Sequence, residues 1–200
     1  MPGFKTPTPT CRWLGSPIPD SGTSRMVDGV DWEKDQPMIK FLKKHIPDRF
    51  AIIPEKHPRG RGVGGYVPRR TRAGGFSAHS QGRAADIYLD AFDDLQKYLG
   101  DELFSMFVDN ATDLGVEHII WNRQIWSAEK GGPRSYTNAA NGPHTNHIHV
   151  AFSELGSQLQ PVQLLNLLDE IKAKFEFRAF TLAVSAIIAS TYDHLTSSLR

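Results

Sequence analysis

Two short segments hold the residue types that hydrolytic chemistry needs. The first is Ser77-Ala78-His79-Ser80-Gln81-Gly82-Arg83-Ala84-Ala85-Asp86, and the second is His144-Thr145-Asn146-His147-Ile148-His149-Val150. His79 and Asp86 are too far apart in sequence to share a helix face as an i,i+4 pair does, so they must converge through a turn, for which Gly82 is suited. In the strand that follows, Asp86 and Tyr88 face one way and Ile87 and Leu89 the other. Ala84 and Ala85 allow close packing behind the site. In the second segment, strand geometry projects His147 and His149 from one face while Ile148 and Val150 face the core. Zinc accepts imidazole nitrogen and carboxylate oxygen, and a hydrolytic site keeps three protein ligands with water in the fourth position. Two His and one Asp fit that count.

The elements that must position these residues follow from periodicity. Met38, Ile39, Phe41, Leu42 and Ile46 recur at helical spacing, which predicts a helix over about 33–45, stopped by Pro47. Phe50 to Ile53 reads as a short buried strand, and 54–76 as a Gly/Arg/Pro-rich loop without regular structure. A strand is expected at Ala85–Leu89, then a helix from about Ala91 to Asp113 with Leu95, Leu99, Leu103 and Phe107 on one face, ended by Gly115. Val116–Trp121 and His147–Phe152 read as strands separated by a long loop, Asn122 to Pro143. An amphipathic helix over 161–175 starts at Pro161 and carries Val162, Leu164, Leu165, Leu168, Ile171 and Phe175. The expected fold class is α+β: a small, mainly antiparallel sheet carrying a mononuclear zinc cleft, with helices packed on the other face.

A chain of 200 residues is long enough for one good core. The Pro/Thr/Ser-rich stretch 1–27 reads as a flexible tail, 28–155 as the catalytic domain and 156–200 as a C-terminal helical extension that either completes the core or mediates self-association. Within the extension, the apolar run Ala179–Ser190 is shorter than the ~20 residues of a membrane-spanning helix and reads as a packing or interface helix. The net charge of +1 argues against a nucleic-acid partner, although Arg59, Arg61, Arg69, Arg70 and Arg72 cluster locally. Cys11 is the sole cysteine, so an intramolecular disulfide or a thiolate metal cage is excluded. The N-terminus shows no apolar signal-peptide core, so the chain is expected in the cytoplasm until released or exported by a non-classical route.

The ten-residue segment resembles the Ser-x-His-x-x-Gly-x-Ala-x-Asp motif of the D-alanyl-D-alanine carboxypeptidase-like zinc peptidases at every specified position, Ser77, His79, Gly82, Ala84 and Asp86. The ending His144-x-x-His147-x-His149 is similar to that of the penicillin-insensitive murein endopeptidases of the same superfamily, which includes lysostaphin-type enzymes and the hedgehog domain. Gly115-Val116-Glu117-His118-Ile119-Ile120-Trp121-Asn122-Arg123 through Trp126 is further similar to actinobacterial and phage proteins of this group. The resemblance spans roughly residues 50 to 153. It implies Zn2+ on His79, Asp86 and His149, catalytic roles for His147 (general base or oxyanion stabiliser) and His144 (auxiliary imidazole), and a peptidoglycan peptide as substrate. A neutral His with a pKa near the operating pH suits proton transfer from metal-bound water to the leaving amine. Asn146 departs from the acidic residue that the carboxypeptidase branch carries three positions before its last ligand. That points to the two-histidine variant and leaves a lost or altered activity open.

Around this core, Arg70 and Arg72 are candidates to grip a substrate carboxylate, Trp126 and Tyr136 to line a groove, and Ser77 to join the substrate-binding residues. Trp121 is assigned to the core, His118 to a structural role, and His45, His57 and His194 to the surface. Two other functions fit parts of the sequence. One is a metal-holding recognition module without turnover, suggested by Asn146. The other is a rolling-circle nickase using His147, His149 and a nucleophilic Tyr192, in which the ten-residue motif has no place.

Overall fold

Side-chain alternation sets the two faces of the central strand. Along β8 (Ile148–Phe152), Ile148, Val150 and Phe152 are fully buried in the hydrophobic core, whereas His149 and Ala151 point the other way. This computed structural model describes residues 26–27, 30–53, 62–68, 76–137 and 142–197. In it β8 is one of six antiparallel strands in the order β3 (Val63–Gly64), β4 (Ala84–Ile87), β8, β5 (Val116–Trp121), β6 (Gln124–Ser127) and β7 (Arg134–Ser135). A separate two-stranded ladder joins β1 (Met26–Val27) to β2 (Val30–Asp31).

The helices cover one face of the sheet only. α1 (Pro37–Arg49) buries Met38, Ile39, Leu42 and Ile46, and α2 (Asp94–Asp109) buries Leu99, Leu103 and Phe107. The side chain of Asp93 caps α2 by accepting from Gln96 N at 2.8 Å. α3 (Ala111–Leu114) and α4 (Glu154–Ser157) are single turns, and α5 (Gln163–Ser197) sends Leu164, Leu168 and Ile171 into the same core. Burying each of Phe50, Phe107 and Phe152 is worth about 1.5–3 kcal/mol. The helical face therefore supplies the stability that lets the other face carry polar groups. The architecture is the α+β arrangement expected, with an antiparallel sheet and one helical layer.

Several local expectations are corrected. Phe50–Ile53 is not a strand: Phe50 ends α1, Ile53 N bonds back to Phe50 O at 2.9 Å, and the turn drives both side chains into the core. Pro47 does not stop α1, which continues to Arg49 with the proline inside its last turn. The stretch 54–76 does contain regular structure, because Val63 and Gly64 pair with Ile87 and Asp86. The helix expected over 91–113 breaks at Asn110, whose side-chain amide donates to Met106 O at 2.9 Å. The loop 122–143 holds a hairpin: Asn122 and Arg123 adopt left-handed φ of 42° and 65°, the geometry of a two-residue turn that returns β6 along β5.

The two C-terminal runs form one uninterrupted helix, since no proline or glycine falls between Gln163 and Ser197. Its first turns complete the domain core, which therefore extends past residue 155. Val162 lies ahead of the helix and is exposed. Farther along, Phe177, Phe180, Ile187, Ile188 and Tyr192 are exposed. Among the described residues no helix is long and apolar enough to cross a membrane.

Candidate metal centre

The register of the sheet brings the motif residues together. Asp86 lies opposite Gly64 on one side and His149 on the other, so all three share the face turned away from the helices. His79 arrives from a 3-10 turn, His79–Gln81, that packs over this face. The turn closes on Gly82 at φ 63°, in the left-handed region, and a Cβ there would collide with the carbonyl of Lys34. Gly82 O also accepts from Gln36 N at 3.0 Å, fastening the turn to the start of α1.

His79 Nε2 lies 3.1 Å from Asp86 Oδ1 and 3.2 Å from His149 Nδ1, and His149 Nδ1 lies 3.0 Å from Asp86 Oδ1. The three donor atoms thus form a nearly equilateral triangle. A tetrahedral ion with bonds of about 2.0–2.1 Å separates its ligand atoms by roughly 3.3 Å, so the triangle is close to one face of such a shell. The hydrogen bonding fits the same ion. His79 Nδ1 donates to Gly65 O at 2.8 Å, and a carbonyl can only accept, so in neutral His79 a bare Nε2 lone pair faces both the carboxylate and the other imidazole. A cation among the three resolves that convergence of lone pairs.

Two of the three groups, His149 and Asp86, are held in the protonation state a metal requires. Burial pushes His149 down to about 4, against the opposing pull of Asp86, so the imidazole is neutral near pH 7. Burial would raise the Asp86 pKa, but the hydrogen bonds and charges of His149 and His79 hold it far below the ordinary carboxylate range. A neutral His149 and an ionised Asp86 thus join His79 Nε2 as the donor set. His79, Asp86 and His149 form a group able to hold a metal ion.

The remaining residues of the second motif form the rim. His147 Nε2 stands 3.8 Å from Asp86 Oδ1, and its ring lies 6.0 Å from that of Tyr88, which shares the Asp86 face. The exposed Asn146 turns its Oδ1 toward His147 Nδ1 at 2.7 Å. His144, held at φ 50° with Nδ1 3.2 Å from Gly142 O, packs its ring 4.6 Å from His147 and edge-on to Tyr136 at 5.2 Å. Burial lowers the His144 pKa. The hairpin turn fixes this rim, because Asn122 N donates to His144 O, Arg123 N to Pro143 O, and Tyr136 N to Arg123 O, at 2.7–2.9 Å.

His118, expected to be structural, belongs to the site. Its Nε2 lies 3.2 Å from His149 Nε2, and the two rings stack with centroids 5.2 Å apart. A β-bulge produces this: between the pairs Val116↔Phe152 and His118↔Ala151, β5 has one residue more than β8. The extra residue is Glu117, whose Oε1 comes to 3.6 Å from His118 Nδ1 and whose Oε2 accepts from Arg83 Nη1 at 2.9 Å. Burial would raise the Glu117 pKa, but the interaction with His118 and the charge of Arg83 outweigh it and bring it down to about 2.

The other candidates fall elsewhere. Trp126 is buried in the core, directly across from Ile119 on the helical face of the sheet, so it does not line a groove at the metal centre. Trp121 is buried there too, with its indole N–H donating to Asp101 Oδ1 at 3.0 Å. Ser77 accepts from Ser80 N at 3.1 Å and caps the 3-10 turn. Arg70, Arg72, His57 and the rest of the arginine cluster lie outside the described residues. His45 is half buried beside Phe41 on α1, and His194 and Tyr192 are exposed near the end of α5.

Residues 48–149, just over half of the chain, match the family described as VldE, C-terminal domain. The match runs from the end of α1 to His149 and so contains His79, Asp86, His118, His144, His147 and His149. No curated protein and no solved structure matches the chain. The chain belongs to the VldE C-terminal domain family.

Proposed function

We propose that the chain is a zinc-dependent peptidase that hydrolyses peptide bonds in bacterial peptidoglycan. The observation that carries this reading is the triangle of His79 Nε2, Asp86 Oδ1 and His149 Nδ1, with edges of 3.0–3.2 Å. The peptidoglycan substrate rests on the similarity of the two motifs to those of the murein peptidases. When bound by these three atoms, zinc would polarise the scissile carbonyl and acidify the attacking water.

The chain's own residues move the proton. His147 Nε2 accepts the proton of the attacking water and returns it to the leaving amine. Asn146 cannot act as a base, but its Oδ1 at 2.7 Å accepts from His147 Nδ1–H and so keeps Nε2 as the accepting nitrogen. The departure from an acidic residue at this position therefore fits a histidine base. His144, against His147 and Tyr136, supplies a second imidazole on the peptide side.

The test is mass spectrometry of muropeptides released from purified peptidoglycans of defined cross-link, with zinc and with a chelator. Zinc-dependent release that His149→Ala abolishes is the expected result. No release from any peptidoglycan by zinc-loaded chain would contradict turnover. With zinc still bound, that outcome would favour a recognition module, the reading that Asn146 motivates.

A further inference from the structure

His149 shows its two ring nitrogens to different partners. Nδ1 faces His79 and Asp86, and Nε2 faces His118. A nitrogen that gives its lone pair to a metal leaves the proton on the other nitrogen, and that N–H needs an acceptor. The neighbour of His149 Nε2 is His118 Nε2 at 3.2 Å. For His118 to accept there, its own proton must sit on Nδ1, which faces Glu117 Oε1. Glu117 is held from behind by Arg83, and Arg83 is held in turn by Gln81 Oε1, which accepts from Nε at 3.1 Å and from Nη2 at 2.7 Å, and by Phe152 O. Arg83 and Gln81 both belong to the segment that carries His79 and Asp86.

We propose that His118, Glu117 and Arg83 form an outer relay that fixes His149 in the Nε2–H tautomer and aims its Nδ1 at the metal. This rests on the metal reading of the site above. The relay makes His118 a positioning residue, and it gives the β-bulge a purpose. In a regular strand Glu117 and His118 would point to opposite faces, whereas here the carboxylate reaches the imidazole that it orients. It also links the two motifs twice, once through the metal ligands and once from Arg83 through Glu117 and His118 to His149. Outer partners of metal-bound imidazoles usually matter by 10–100-fold in metal affinity.

The experiment is a zinc titration of the full chain against a chromophoric competitor, for wild type, His118→Phe, His118→Gln, Glu117→Gln and His149→Ala, with thermal unfolding of each metal-free protein. The expected result is a loss of about 10–100-fold for His118→Phe, a smaller loss for Glu117→Gln, and substantial rescue by His118→Gln, whose amide oxygen can accept from Nε2–H. Equal affinity of wild type and a folded His118→Phe would overturn the relay and leave the metal site standing. Absence of stoichiometric zinc in wild type would instead contradict the metal reading itself, and the relay with it. Should His118→Phe fail to fold, ring-nitrogen NMR of the zinc-loaded wild type decides. Protons on His149 Nε2 and His118 Nδ1 support the relay, and a proton on His118 Nε2 overturns it.

Discussion

The two faces of the central sheet, one residue out of phase along the same strands, do different work. On the helical face Ile148, Val150 and Phe152 of β8 meet Ile119 and Trp121 of β5 and the buried stripes of α1, α2 and α5. On the other face the same two strands present His149 and His118, with Asp86 from β4 beside them. A polar group placed on the core face without a partner costs free energy, and the one that Trp121 brings, its indole N–H, donates to Asp101 Oδ1. The site face holds its polar groups only because each has a stated partner: Gly65 O for His79, Glu117 for His118, Asn146 for His147. Stability and the chemistry of the candidate site are therefore separable by substitution at neighbouring positions.

The largest effect on stability is expected from the core face. Phe152→Ala should cost about 3–5 kcal/mol in denaturant unfolding, whereas His149→Ala, three residues earlier on the opposite face, should cost less and instead abolish zinc binding. Equal destabilisation by the two would break the division between the faces. Next is Gly82→Ala, which combines a left-handed φ with a collision at the Lys34 carbonyl. A loss of roughly 1–3 kcal/mol follows from such backbone strain. Weaker zinc binding should accompany it, because the turn carries His79.

Glu117 gives a pH signature. Its folded-state pKa, about 2, lies below the ordinary 4.5, so its contribution to stability is present above about pH 4.5 and is lost as pH falls toward 2. Allowing for its partial exposure, the contribution is on the order of 2 kcal/mol. Glu117→Gln should flatten the dependence of unfolding free energy on pH across that window, and an unchanged acid limb would contradict the ion pair with Arg83. The smallest effect belongs to the far half of α5, where Phe180→Ser and Ile187→Ser change exposed positions. Unfolding of the domain should shift by no more than about 0.5 kcal/mol.

Both segments of the candidate site were legible in the sequence because they obey simple geometry: a glycine turn for His79 and Asp86, and strand alternation for His149, with His147 just ahead of β8. β5 was legible for the same reason. What escaped was the local departure from regularity. For His118 alternation gives two answers: counted from Trp121 and Ile119 it faces the site, counted from Val116 it faces the core, because the bulge at Glu117 shifts the register of β5 against β8 by one residue. The acidic residue beside it in the strand was a further signal. The β5–β6 hairpin escaped because Asn122-Arg123 is not the Asn-Gly or Asp-Gly pair that announces such a turn. Trp126 stays a candidate for either groove or core in the sequence for want of that hairpin, since its pairing with Ile119 shows which face it takes. Phe50–Ile53 illustrates the limit of a short apolar run, which a buried turn satisfies as well as a strand.

The central claim is that His79, Asp86 and His149 hold one metal ion, and the zinc content of purified chain after dialysis tests it most directly. Wild type should retain one zinc per chain by elemental analysis, and Asp86→Ala, folded by circular dichroism, should retain none. A zinc-free wild type, or an Asp86→Ala variant with undiminished zinc, would contradict the account.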